Sequence, residues 1–203
     1  KHDKGRTWKV VQRVFDSLGY KVHYQVLDAV DYGIPQKRRR IFIVGFKDNS
    51  KSFSFPTGKE LQYTMQDFLI ENTAEGKFTA KGEEICIVKS PGIVEDKYYL
   101  SDRVLPGIMS HGTNGFSMKP EIDLSIARPL MSTMHKLHRA GVDNYVTTNG
   151  RIRRLAPREC LRLMGFTDDF KQVVSNTQMY RQAGNSVVVD VFMALIKEII
   201  KCI

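Results

Sequence analysis

The chain has 203 residues, 42% of them apolar, with a formal net charge of +9 and a pI near 9.5. That length can bury a sizeable core in one or two domains. No window is apolar for 18 residues or more, which excludes a membrane-spanning helix, and the opening KHDKGRTWK lacks the apolar stretch of a signal peptide.

The opening also lacks an initiating methionine, so the chain is expected to begin inside a longer product. The positive surplus favours a polyanionic partner such as nucleic acid, with a basic protein lacking such a partner as the equal alternative. Three cysteines, Cys86, Cys160 and Cys202, stand far apart without a CxxC pair. They suggest neither a disulfide framework nor a zinc site, and fit a reducing cytoplasm.

Residues 7–19, TWKVVQRVFDSLG, space Val10, Val11, Val14, Phe15 and Leu18 as a helix does, with Gly19 as its stop. In YKVHYQVLDA, Val22, Tyr24 and Val26 alternate with His23 and Gln25, which predicts a strand. A DYGIP turn leads to RIFIVGF, Arg40 to Phe46, nearly continuously apolar and expected to be a strand covered on both faces. The turn is short enough for the two strands to be antiparallel neighbours. From 47 to 150 the texture changes to short apolar runs broken by Gly, Pro, Asn, Ser and Thr, which predicts a smaller, loop-rich, mostly β domain. Order returns in APRECLRLMGF, a helix with Pro157 at its start, Leu161 and Met164 on one face and Gly165 as its stop. The last segment, SVVVDVFMALIKEIIKCI, places Val188, Phe192, Leu195 and Ile199 on one helical face. Residues 1–46 and 151–203 are thus expected to form one α/β domain, with 47–150 inserted between them.

Four consecutive cations, Lys37 to Arg40, follow Gln36 at the mouth of the second strand. Alternate strand residues point the same way, so Gln36, Arg38 and Arg40 share one face and Lys37 and Arg39 the other. A guanidinium offers the fixed, permanently charged fork that phosphate or base recognition needs. On these residues alone, a solvated basic edge that blocks strand pairing is the blander reading.

DYGIPQKRRRIFIVGF, RRLAPRECLRLMGF and YRQAGNSVVVDV together resemble the last blocks of the bacterial restriction-modification DNA (cytosine-5) methyltransferases. They are similar, in the same order, to that family's Q-x-R-x-R, R-L-x-P-R-E-x-x-R-x-x-G-[FY] and Q-x-G-N-[SA]-V motifs. The resemblance implies the C-terminal part of a Rossmann-like methyltransferase sheet, with a target-recognition domain in the variable stretch. It implies transfer of a methyl group from S-adenosylmethionine to C5 of a cytosine flipped out of duplex DNA, after a cysteine thiolate adds to C6. Arg40 then matches the arginine that reaches the flipped cytosine, Arg38 the one that supports the catalytic pocket, and Gln36 the glutamine that fixes the loop. Arg39 and Lys37 fall at variable positions, as phosphate contacts or plain surface. Asn185 and Ser186 match cofactor-pocket residues, and Gly184 permits a close backbone approach; the alternative is that Asn185 or Ser186 simply caps the last helix.

For DNA contact the candidates are Arg151, Arg153 and Arg154 at phosphates, and His111 and Asn114 in HGTNGF as base readers or an ordinary turn. Ser132 or Thr133 is expected to replace a phosphate-binding threonine whose place is taken by Pro129. Arg158 and Glu159 are expected to be structural. The pair His135 and His138 has no carboxylate nearby in HKLHR, so no metal is expected.

Three of the family's motifs are missing from the 203 residues: the P-C-Q cysteine, the E-N-V glutamate and the F-x-G-x-G cofactor loop. The expectation is a C-terminal portion, inactive alone, completed by an N-terminal catalytic half in the same chain or a separate subunit. Its expected setting is a bacterial cytoplasm, encoded by the bacterium or by a phage. Two alternatives remain open: a non-enzymatic, sequence-specific DNA-binding module, and an RNA cytosine-5 methyltransferase of the same family.

Overall fold

The computed structural model describes residues 2–48, 52–71, 77–78, 86–87, 92–113 and 115–203. Helix α1 (Arg6–Ser17) ends before Gly19, whose φ of 75° turns the chain into strand β1 (Lys21–Asp28). Trp8 meets Tyr24 edge-on at 4.5 Å and Phe15 meets Tyr20 at 6.0 Å. Those contacts seat one side of α1 on β1. The stripe Val10, Val14 and Leu18 stays exposed.

Strand β2 (Arg39–Phe46) pairs antiparallel with β1 from Lys21↔Phe46 to Asp28↔Arg39, as the short turn predicts. Between them a 3₁₀ turn (Ala29–Tyr32) and Gly33, at φ 87°, fold back into the core, with Ala29 and Ile34 fully buried. The expectation of a doubly covered β2 is corrected. Val44, with Phe42 and Phe46 beside it, packs on Phe53, Leu195 and Ile199. On the other face the cross-strand pairs Tyr24↔Ile43 and Val26↔Ile41 are all at least 40% exposed. A continuous apolar run reports that both faces suit burial; among the described residues only one of them is packed against other elements.

The middle of the chain holds short elements. Strands β3 (Lys77–Phe78) and β4 (Cys86–Ile87) pair in parallel, α2 spans Leu105–Ile108, and β5 (Gly112–Thr113) forms a hairpin with β6 (Phe116–Ser117). Strand β7 (Tyr145–Thr148) pairs with β8 (Arg151–Arg154) across a two-residue Asn149-Gly150 turn. Both turn residues have positive φ, 52° and 70°, the conformation that the twist of a tight hairpin requires.

Helix α3 (Pro157–Arg162) starts at the expected proline and is followed by Gly165 at φ 83°. A further helix, α4 (Asn176–Asn185), is capped by Ser175, whose Oγ accepts from the Gln178 N–H. Asn185 therefore ends a helix and does not start one. The last helix, α5 (Val189–Ile200), is preceded by Val188 with no side-chain cap. Its buried stripe is Val188, Val191 and Leu195; Phe192, expected inside, is 47% exposed. The stripe runs i, i+3, i+7, and Phe192 lies one position beyond it.

The principal core draws Leu27 to Ile34 together with Met65 to Leu69, Val94, Tyr98, Ala127 to Met134, Val146 and the apolar residues of 155–191. It runs through the expected boundaries at 47 and 150. A smaller cluster of Ile108, Ala140 and Tyr145 lies within the middle stretch.

Candidate active site

Four separate stretches of chain meet at Gln36 and Arg38. Residue 36 lies beside Ala127 in a parallel bridge: the Lys37 N–H donates to the Ala127 carbonyl at 2.9 Å and the Ala127 N–H to the Pro35 carbonyl at 2.8 Å. The Gln36 side chain is fully buried. Its Nε2 donates to the Leu163 carbonyl at 2.7 Å, and its Oε1 accepts from the Leu130 N–H at 3.0 Å. A carboxamide has both donor and acceptor, so one side chain ties α3's end to residue 130.

Arg38, 5% exposed, does the same with its fork. Nη1 donates to the Leu130 carbonyl, and Nη2 to the carbonyls of Gly184 and Ser186, all at 2.8–2.9 Å. Its own N–H donates to Asp28 Oδ1. Among the described residues no carboxylate pairs with the guanidinium. Burial, and after it the charge of Arg40, push its pKa down to about 10. Arg40 lies on the same side of the strand but past the core's edge. It is exposed, and its Nη1 donates to the Arg39 carbonyl. Lys37 and Arg39 are exposed, as strand alternation predicts.

Gly184 permits a close approach, but to protein. A Cβ there would lie 2.1 Å from the Ser132 nitrogen and 2.3 Å from the Met131 carbonyl carbon. Asn185 beside it is exposed. Ser186 is half-buried, its carbonyl accepting from Arg38 and its hydroxyl donating to the Val187 carbonyl. Ser132 thus flanks the junction, while the Thr133 hydroxyl pairs with His138 Nε2 at 3.0 Å.

The arginine-rich segment is rearranged relative to expectation. Arg153 is fully buried and is withheld from any phosphate: it pairs with Glu159 at 2.8 and 2.9 Å and with Glu71. Burial opposes its charge, but the hydrogen bonds and charges of Glu159 and Glu71 outweigh it and hold its pKa above the ordinary arginine value. Glu159 also accepts from the N–H groups of Ala156 and Ile70. Arg151 is exposed, bonded to Asp96 at 2.6 Å and lying 4.4 Å over the Tyr99 ring. Arg154 is half-buried between the Tyr98 and Tyr180 rings. Arg158 donates to the carbonyls of Thr167 and Phe170, and buried Arg162 to Asp168, Phe68 and Leu69. His111 is exposed beside the β5–β6 hairpin, away from Gln36 in sequence and contacts; Asn114 lies outside the described residues.

Residue-pattern reasoning missed Leu130, whose N–H and carbonyl both bond into the junction, and the half-buried Glu71. Leu130 acts through its backbone, for which the sequence has no signal. Among the described residues no group of three or more His, Cys, Asp or Glu is placed to hold a metal.

The sequence pattern of the C-5 cytosine-specific DNA methylase family matches residues 1–201. The type II methyltransferase M.MspI of Moraxella sp. is 34% identical over 198 residues, 98% of this chain and 42% of the relative. M.HhaI of Haemophilus parahaemolyticus is 33% identical over 192 residues, 94% of this chain and 56% of the relative. The chain therefore spans about half the length of these relatives. Among solved structures, the Dnmt2 methyltransferase of S. pombe superposes with a TM-score of 0.69 at 18% identity, over 97% of this chain and 63% of that one. That likeness is one of fold, an α/β methyltransferase fold.

Proposed function

Because the chain belongs to the C-5 cytosine-specific DNA methylase family, we propose that it supplies the pocket arginines, target-recognition part and closing helices of a DNA (cytosine-5) methyltransferase acting on a flipped-out cytosine in a specific duplex sequence. The observation that carries this reading is the junction at Gln36 and Arg38. All three family motifs, the first more than a hundred residues ahead of the other two, are joined through those two side chains. Within it, residues 1–46 and 151–203 belong to the catalytic domain and the recognition part lies in 47–150, whose residues 65–69, 94–98 and 127–146 share the catalytic domain's core.

Arg40 stands at the rim of this junction with its charge free of carboxylates among the described residues. Negative charge builds on the cytosine ring as sulfur adds to C6, and a preorganised cation lowers the energy of that state. Arg38 and Gln36 hold the strand that aims it. Enzymes of this family use S-adenosylmethionine, which supplies the methyl group. The residues present suit it in part: the exposed Asn185 amide is available to a polar end of the cofactor, whereas Ser186 is turned inward and contributes by holding Arg38's fork.

Neither described thiol suits the role of nucleophile. Cys160 is fully buried, and burial pushes its thiol pKa well up, the reverse of what an attacking thiolate needs. Cys202 Sγ bonds to the carbonyls of Ser52 and Glu198. We assign P-C-Q, E-N-V and the cofactor loop to an N-terminal half that covers the apolar face of Tyr24, Val26, Ile41 and Ile43 and the α1 stripe. An apolar patch of this kind marks an interaction surface.

The test is complementation. The chain alone should transfer no methyl group to unmethylated or hemimethylated duplex DNA, and a separately expressed half carrying P-C-Q and E-N-V should restore transfer. Robust transfer by the chain alone overturns the split. Sequence-specific DNA binding without rescue supports a non-enzymatic module, and preference for tRNA over duplex DNA supports an RNA methyltransferase.

A further inference from the structure

Three consecutive residues after helix α3 carry three different contacts. The Leu163 carbonyl accepts from Gln36, the Met164 carbonyl accepts from the Val189 N–H at 3.0 Å, and Gly165 lies against Asp190. A Cβ on Gly165 would stand 2.3 Å from Asp190 Oδ2 and 3.1 Å from the Val189 Cβ. Helix α5 therefore rests its first turn on residues 164 and 165. Just ahead of that turn are Gly184 and Ser186, whose carbonyls hold the Arg38 fork. The seat of α5 and the grip on Arg38 belong to one short run of chain.

Asp190 is the odd group in this seat. Its Oδ2 is buried and, among the described residues, has no hydrogen-bond partner. An ionised carboxylate placed there gives up water without a replacement, a cost that the neutral acid largely avoids. The first turn of a helix ordinarily favours an anion. Here burial outweighs that preference and pushes the Asp190 pKa up to about 6, with the charge of Lys59 and the residue's own N–H working the other way. The elements packed on α5 bring few other charges. The turn Ala29–Tyr32 carries Asp31 and Tyr32, the 52–59 stretch carries Lys59, and residues 163–166 carry none. Strand β2 presents Phe42, Val44 and Phe46. Arg38 reaches the preceding run at Ser186, and Lys197 and Glu198 lie towards the far end of α5.

We infer that Asp190 is a positioning residue: its protonation sets how closely α5 seats on residues 163–165 and, through Ser186, how firmly Arg38 is held. The neutral carboxyl stays against Gly165. The ionised one gains free energy by turning towards water, and its turn of helix then lifts from residue 164. A carboxyl whose pKa is raised on folding stabilises the fold in its protonated form. Its contribution is complete below the ordinary value of 3.8 and is lost as pH rises through about 6.

Urea unfolding of wild type and Asp190→Asn between pH 4.5 and 7.5 tests this. The variant cannot ionise at that position, so the ratio of its folding constant to that of wild type should rise by on the order of 25-fold over the range, whatever fixed cost the amide adds. Other ionisable groups act in both proteins and cancel. Asp190→Ala, which leaves no polar atom there, should give the same rise and serves where the amide is not tolerated. Hydrogen exchange of the Val189 amide locates the effect. Corrected for the intrinsic rate, its protection should fall from pH 5.5 to 7.5 in wild type and hold in Asp190→Asn. A ratio that does not change with pH overturns the inference. So does a rising ratio with unchanged Val189 protection, because the proton would then act away from this seat. The consequence for catalysis rests on the reading proposed above. In the completed enzyme the turnover of Asp190→Asn relative to wild type should rise above pH 6, and a flat ratio overturns the link to Arg38. Failure of the completed wild-type enzyme to transfer methyl groups overturns that reading alone, and the unfolding and exchange results still decide on Asp190.

Discussion

The chain has two arginine-rich stretches, 36–40 and 151–162, that look alike in sequence and differ in what surrounds them. In the first, strand alternation sorts the residues: Gln36 and Arg38 turn in, Lys37 and Arg39 turn out, and Arg40 emerges at the end of the inner face. The partners of the inner pair are carbonyls and an N–H, so the stretch keeps its full positive charge. In the second, carboxylates neutralise three of the five arginines, while Arg154 lies against two tyrosine rings and Arg158 donates to carbonyls. Arg153 has Glu159 and Glu71, Arg162 has Asp168, and even exposed Arg151 has Asp96. A count of cations therefore says little about contact with a polyanion. What decides is whether acidic residues distant in sequence fold back onto them.

The comparison predicts a graded series of effects on folding. The largest belongs to Arg153. Arg153→Ala leaves Glu159 buried and unpaired, which costs on the order of 3–5 kcal/mol for a broken buried ion pair, and urea unfolding should show the midpoint collapse or the folded chain disappear. Replacing Arg153, Glu159 and Glu71 together by apolar residues of similar volume should recover part of that loss, because no lone charge is left behind. A cost under about 1 kcal/mol for Arg153→Ala would erase the distinction between the stretches. Arg38→Ala comes next. It removes hydrogen bonds to three carbonyls, at a cost of roughly 2–4 kcal/mol by the usual worth of bonds from a charged donor. Arg38→Lys should recover little of it, since one ammonium cannot reproduce a planar fork aimed at residues 130, 184 and 186.

The fold was legible where local chemistry decides it. Helix α1, strands β1 and β2 and helix α3 stand where spacing, glycines and a proline put them, and alternation predicts the inward turn of Gln36 and Arg38. Asn149-Gly150 between two short runs was a hairpin signal in plain view, yet RIRR was read as a cationic patch, because its arginines drew more notice than the turn. What local pattern could not show is long-range satisfaction. Nothing near Arg153 in sequence says that Glu71 will reach it. Nothing near Gly184 says that the backbone of Met131 and Ser132, and not a ligand, fills the space its missing side chain leaves. Leu130 contributes only peptide groups, which every residue has. The exposed side of β2 was misread for a related reason: an apolar run reports what a strand is suited to pack against, and Ile41 and Ile43 are left uncovered among the described residues.

The finest division the comparison makes is between adjacent residues. Arg39 and Arg40 are both exposed and neither supports the core, so replacing either by alanine should change stability by no more than about 0.5 kcal/mol. Their roles separate by side of the strand. Arg40 lies on the face of Gln36 and Arg38, at the rim of the junction, so Arg40→Ala should abolish methyl transfer by the completed enzyme with little change in folding. Arg39 points the other way, opposite Asp28 in the strand register. Arg39→Ala should leave turnover close to wild type and lower the slope of log K against log salt by about 1, the signature of one lost phosphate contact. Equal losses of turnover from the two variants would mean that the charge of the stretch matters only in bulk, and that strand alternation does not assign the function.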